Sequence, residues 1–130
     1  MISLRRMWPG LLLRIAIAAH RLGSPEALRW MQAYQERLRA AERDGDSTHQ
    51  REQALYLLEL GDDAAGALAY ARLNWTVQRE PADVRIYVRA AERAHSEADC
   101  MRLARWITDT HYEDRALSTL QQCARPRESP

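Results

Sequence analysis

The chain has 130 residues, 46% of them hydrophobic, and a formal net charge of +1. That is enough for one domain with a core of its own, and it argues against disorder in the body of the chain. It also argues against a dedicated nucleic-acid or membrane-surface protein, which needs a clear cationic excess on one face.

All 19 basic residues are Arg, with neither Lys nor Phe anywhere, a bias that reads as a GC-rich genome before any binding function. The charge is uneven. Residues 1–43 carry eight Arg against Glu26, Glu36 and Glu42, and the remainder carries eleven Arg against fifteen acids. Blocks of this size are usually solvated helix faces.

The opening stretch mimics a signal peptide, with Arg5 and Arg6 ahead of an apolar run from Leu11 to Ala19. Arg14 interrupts that run, Ala18-Ala19-His20 is a poor cleavage site, and the run falls far short of the ~20 residues that span a bilayer. The segment therefore reads as an amphipathic helix within the fold, with a signal or anchor as the alternative. The compartment stays open: a cytosolic setting is slightly preferred, and a periplasmic one follows if the cysteines are oxidised.

Leu12, Ile15, Ala16, Ala19 and Leu22 follow helical spacing, so a first helix is expected over about 10–22, ending at a left-handed Gly23. Ser24 then serves as N-cap and Pro25 as first residue of a second helix, striped by Ala27, Met31, Tyr34, Leu38 and Ala41. A third helix is expected over about 48–60 with Ala54, Leu55 and Leu58 inward. After Gly61-Asp62-Asp63 comes a fourth with two apolar faces, Ala64, Ala67, Leu68, Ala71 and Trp75 on one and Tyr70, Leu73 and Val77 on the other.

Pro81 lacks an amide donor and forces Glu80 out of the helical region, so the fourth helix must end there and a fifth can begin. Val84, Tyr87, Val88 and Ala91 are its stripe. Ser96 caps a sixth helix with Cys100, Leu103, Ala104 and Ile107 inward, and a last helix is expected over about 114–124. No stretch reads as a strand. The organisation is a leading segment 1–9, a helical repeat domain 10–124 and a polar tail 125–130.

The turns at Gly23-Ser24-Pro25, Gly61-Asp62-Asp63 and His95-Ser96-Glu97 align, spaced 38 and 34 residues apart. Ala16, Ala54 and Val88 stand seven positions before each, and Leu22, Leu60 and Ala94 one before. His95 replaces Gly at the cap, tolerable because His enters the left-handed region more readily than most residues. A degenerate helix-turn-helix repeat of this period means an all-α chain arranged as an α-solenoid of about three antiparallel hairpins.

The turn and second helix of GDDAAGALAYARLNWTVQREPAD, with small Ala67 and Ala71 at the close approach and the terminal Pro81, resemble the tetratricopeptide repeat family over about residues 10–124. LELGDDAAGALAYARLNWTVQREPADVR is similar to the C-terminal part of longer bacterial proteins of that type. The resemblance implies hairpins that bury their apolar faces against one another and a concave surface that holds a peptide or partner domain. It implies that the first helix of each hairpin lines that surface. The off-stripe residues there are Arg14 and Arg21, Gln53 and Tyr56, and Arg85, Arg89 and Glu92. Of these Arg14, Gln53, Tyr56, Arg85 and Arg89 are the expected contacts, arginines with a Tyr that would grip an acidic or C-terminal carboxylate peptide. The alternative is a solvated face with internal Arg–Glu pairs. The Leu11, Leu13 and Ile17 face is expected to be uncapped, free to meet a further repeat or another chain.

Catalytic patterns are absent from the sequence. His95-Ser96-Glu97 followed by Cys100 resembles half of a deaminase zinc motif, but no Pro-Cys-x-x-Cys segment completes it. No His-x-x-x-His pair, nucleophile elbow or phosphate-binding Gly loop occurs. The expectation is a non-catalytic protein without metal, cofactor or small-molecule substrate. An RNA-binding helical repeat, resting on the basic N-terminal block, and a structural segment of a larger solenoid are the alternatives.

Cys100 and Cys123 lie symmetrically about a turn near residues 111–112, which makes a disulfide feasible beside the alternative of two buried thiols. Trp75 and Trp106 are expected in packing, and Trp8 is the most exposed of the four Trp. Asn74-Trp75-Thr76 matches a glycosylation sequon, inside an expected helix and best explained by chance.

Overall fold

The computed structural model describes residues 7–45 and 49–124. Thr48 and the expected tail at 125–130 lie outside them. Among the described residues the chain is all-helical. Its helices are α1 Pro9–Arg21, α2 Ala27–Arg43, α3 Gln50–Glu59, α4 Ala64–Trp75, α5 Pro81–Arg93, α6 Glu97–Thr110 and a short α7 Leu120–Cys123, preceded by a 3₁₀ turn at Arg115–Leu117.

The helix starts follow from the residues placed there. Pro9 and Pro81 occupy first-turn positions, where a missing N–H costs nothing. Glu80 and Asp83 form a reciprocal capping box at the start of α5. Ser96 accepts from the Asp99 amide at the start of α6, and Asp63 accepts from Gly66 at the start of α4. Left-handed residues close two of the turns, Gly23 at φ 65° and His95 at φ 53°.

Two expected elements differ. The second helix begins at Ala27 rather than Pro25; Ser24 still accepts from the Glu26 amide at 3.3 Å, but within the preceding turn. The last helix, expected over 114–124, divides into the 3₁₀ turn and α7. Asp114 caps the first by accepting from Ala116, and Ser118-Thr119, weak helix formers, fall at the break.

Sequential helices pack in pairs, α1 with α2, α3 with α4, α4 with α5, α5 with α6 and α6 with α7. The odd-numbered helices also form a row, α1 against α3 and α3 against α5. Two cores result. The first joins Met7, Leu12, Leu13 and Ile17 to Tyr34 and Tyr56. The second runs from Ala54 through Trp75, Val84, Tyr87 and Leu103 to Leu117 and Leu120.

The face expected to be uncapped is therefore mostly covered. Leu13 and Ile17 are buried, and Leu11 alone of the three is exposed. The second apolar face of α4 also fails to find a neighbour: Tyr70 packs on the core, but Leu73 and Val77 are exposed. Cys100 and Cys123 are joined as a disulfide with Cα atoms 5.7 Å apart, fastening α7 to α6.

The break between α4 and α5 is held from both sides. Trp75 packs edge-on to Trp106 at 4.9 Å and against Tyr87 at 5.3 Å, while the Arg79 guanidinium lies 4.6 Å over its ring. Beneath the link, Asp83 is buried and accepts from Asn74 at 2.6 Å, from Arg51 at 2.6 Å and from the Glu80 amide at 2.8 Å. A Trp before the break and an Asp after it thus tie α3, α4 and α5 together.

Candidate functional site

The N-terminal ends of α1, α3 and α5 line a cleft of about 690 Å³. Trp8, Leu11, Leu55 and Ile86 give it apolar walls, Arg14 stands at the rim, and Glu52 reaches in from α3. Trp8 is 80% exposed and Leu11 51%, so two large apolar side chains are presented to solvent on one wall. Pro9 and Gly10 bring the start of α1 directly over Glu52: a Cβ at Gly10 would stand 2.8 Å from Oε1.

Adjoining this cleft is a smaller cavity of about 230 Å³, lined by Tyr34, Arg37 and Asp44 and sharing Pro9, His49 and Glu52 with the first. Two polar atoms here are buried without a hydrogen-bond partner, the Tyr34 hydroxyl and Glu52 Oε2. Burial, with the Glu52 carboxylate and Tyr56 nearby, holds the Tyr34 phenol well above its ordinary range, so the hydroxyl stays protonated. His49 Nδ1 stands 3.5 Å from Glu52 Oε2, an ion pair only when the imidazole is protonated.

The five residues expected to face a partner do not share this surface. Arg14 lines the cleft, with no ion pair among the described residues. Gln53 is half-buried on α3 outside the lining. Tyr56 is a correction: it is 8% exposed, its ring lies 5.3 Å from that of Tyr34, and its hydroxyl accepts from Gln35 at 2.5 Å. Because α1, α4 and α5 all pack on α3, that helix has no free face at the Tyr56 position.

Arg85 and Arg89 are engaged within the chain, as the solvated-face alternative anticipated, though with other partners than their own helix. Arg85 pairs with Asp114 at 2.7 Å and Arg89 with Glu59 at 2.7 Å. Glu59 also takes Arg21 at 2.6 Å, so one carboxylate links α1, α3 and α5. Burial of Glu59 opposes its ionisation, but the hydrogen bonds from Arg21 and Arg89 outweigh it and its pKa is lowered.

A buried structural carboxylate recurs on α6. Asp99 takes a fork from Arg72 at 2.5 and 3.0 Å, the Tyr87 hydroxyl at 2.5 Å, and the Ser96 hydroxyl. Burial alone would raise its pKa; the bonds from Arg72, Ser96 and Tyr87 more than compensate, and the carboxyl lies well below the usual carboxylate range. Burial and the bond to Asp99 push the Tyr87 phenol up to about 12.

Asp83 and Asp99 follow one plan. Each is the third residue of its helix, and each accepts from an Arg two helices earlier and from a side chain of the helix between, Asn74 or Tyr87. The sequence carried a trace of this in Glu80-Pro81-Ala82-Asp83 and Ser96-Glu97-Ala98-Asp99, matching cap and Ala-Asp patterns.

Among the described residues no group of three or more His, Cys, Asp or Glu is placed to hold a metal ion, and no helix is long and apolar enough to cross a membrane. Neither a protein-family model, nor a curated protein, nor a solved structure matches the chain.

Proposed function

We propose that the chain is a non-catalytic helical-repeat module of the tetratricopeptide type, a short α-solenoid that holds a peptide or partner domain in the cleft across α1, α3 and α5. The observation that carries this reading is the cleft itself: three successive odd-numbered helices line it, and Trp8 and Leu11 stand exposed on its wall. Exposed aromatic side chains beside a concavity are the usual anchors of a recognition surface. The contact set becomes Trp8, Leu11, Arg14, Glu52, Leu55 and Ile86. Arg85 and Arg89 serve as struts between helices.

A displayed library of random twelve-residue peptides, selected on the full chain, tests the proposal. Enrichment that Trp8→Ala abolishes, with amide shifts confined to residues 8–14, 49–55 and 82–86, is the expected result. No enrichment, or enrichment indifferent to Trp8→Ala, overturns it. Salt-sensitive binding of single-stranded RNA in place of peptides would favour the RNA-binding alternative.

A further inference from the structure

The smaller cavity that adjoins the cleft combines features found nowhere else among the described residues. Tyr34 is fully buried and its hydroxyl has no hydrogen-bond partner, and Glu52 Oε2 is likewise buried without a hydrogen bond, with His49 Nδ1 3.5 Å away. Both side chains line the 230 Å³ cavity, and Glu52 also reaches the open cleft. Buried polar groups are normally hydrogen-bonded, because each orphan forfeits its bonds to water without replacement. Elsewhere among the described residues buried side-chain polar atoms obey the rule, as Asp83 and Asp99 show.

Two groups left without hydrogen bonds in a cavity that adjoins an open cleft are what a site looks like before its ligand arrives. The sign of that ligand follows from the surrounding charges. Helix N-termini favour anions, but those bordering the cleft are already faced by acids: Glu52 lies in the first turn of α3 and close against Gly10 of α1, and Glu80 with Asp83 caps α5. Arg51 is committed to Asp83 and Glu80. Arg14 stands at the rim, where solvent screens it. Arg37, Asp44 and His49 also line the smaller cavity, Arg37 and His49 being engaged with other groups. What lacks a hydrogen bond there is a carboxylate oxygen beside His49 and a phenol hydroxyl that can accept as well as donate; the adjoining cleft is walled by Leu11, Leu55 and Ile86.

We propose that this pocket seats the cationic head of a basic side chain, Lys or Arg, from the partner segment, with its N–H donors on Glu52 and Tyr34 and its aliphatic stem along the apolar walls. The inference rests on the proposed peptide-binding reading and supplies its specificity. Stem-and-head geometry of this kind lets one side chain bury apolar surface while its charge finds a hydrogen-bonded counter-ion.

The test is a titration of the isotopically labelled full chain with n-butylammonium and n-butylguanidinium, using n-butyrate and n-butanol as controls. Saturable shifts at Trp8, Tyr34 and Glu52 with a roughly millimolar dissociation constant, for one or both cations and for neither control, are expected. Glu52→Gln should weaken the cation by about tenfold or more, and Tyr34→Phe by about threefold. Tyr34→Phe removes only a hydroxyl, so its fold is secure if Glu52→Gln fails to fold.

Equal binding of butyrate, absence of any shift, or affinities unchanged in both variants would overturn the proposal; the last would assign the two orphan atoms to a fixed water only. The library selection separates this inference from the reading beneath it. Enriched peptides without a basic residue would leave the interaction module standing and remove the cation seat. Amines that bind when no peptide is selected would do the reverse.

Discussion

Tyr34 and Tyr87 are both buried, one in each core, and their hydroxyls meet opposite fates. Tyr87 donates to Asp99, inside a network that also holds Arg72 and Ser96. Tyr34 donates to nothing, and in the same cavity a Glu52 oxygen is buried without a hydrogen bond, with His49 3.5 Å away. The C-terminal half spends its buried polar groups on holding helices together, with Asp83, Asp99 and the disulfide as fasteners. In the N-terminal half Tyr56 is bonded by Gln35, but the Tyr34 hydroxyl and one Glu52 oxygen are left without hydrogen bonds. A buried group with every bond satisfied explains structure; one left unsatisfied beside a cleft asks for a ligand.

That contrast is open to attack, first where the largest effect is expected. Asp99→Ala should cost about 3 kcal/mol in urea unfolding, the low end for breaking a buried ion pair because Arg72 is half exposed. A loss below about 1 kcal/mol would remove the fastener reading. Replacing Cys100 and Cys123 by Ser should cost about 3 kcal/mol, as expected for releasing a loop closed across a sequence separation of 23. Melting with and without reductant gives the same comparison without mutation.

The acid limb of stability should follow Asp99. Its native pKa is depressed, so its contribution is complete above about pH 4, where a free aspartate ionises, and is lost as pH falls toward the native value. Asp99→Asn should flatten that limb; an unchanged slope would place the acid sensitivity elsewhere. Smallest is Arg85→Ala, which breaks an exposed pair with Asp114 and should change stability by less than about 1 kcal/mol, leaving peptide selection untouched. A lost peptide would return Arg85 to the binding surface.

Much of this was legible locally. Pro81, Ser96 and the left-handed turns at Gly23 and His95 announce helix boundaries by their own backbone chemistry, and the α5 stripe of Val84, Tyr87, Val88 and Ala91 is buried as its period requires. What depended on distant segments was not. Tyr56 lies off the α3 stripe, yet that helix is covered by α1, α4 and α5, so periodicity misassigned it. Leu13 and Ile17 found Met7, Tyr34 and Tyr56, while Leu73 and Val77 found nothing. Arg85 and Arg89 meet carboxylates 29 and 30 residues away, and no local pattern encodes such a pairing. Of the candidate site, Trp8 and Arg14 stood out in the sequence; Glu52 and Tyr34 did not, because an unsatisfied hydroxyl is a property of its surroundings.

The most direct trial sets two single-atom deletions side by side, the unfolding free energies of Tyr87→Phe and Tyr34→Phe by urea titration. Tyr87→Phe should lose about 1–2 kcal/mol, since it strips a charge-assisted hydrogen bond from Asp99, and Tyr34→Phe should be neutral or slightly stabilising. Equal losses would mean that the Tyr34 hydroxyl is as well satisfied as that of Tyr87, and the contrast between the two halves would not stand.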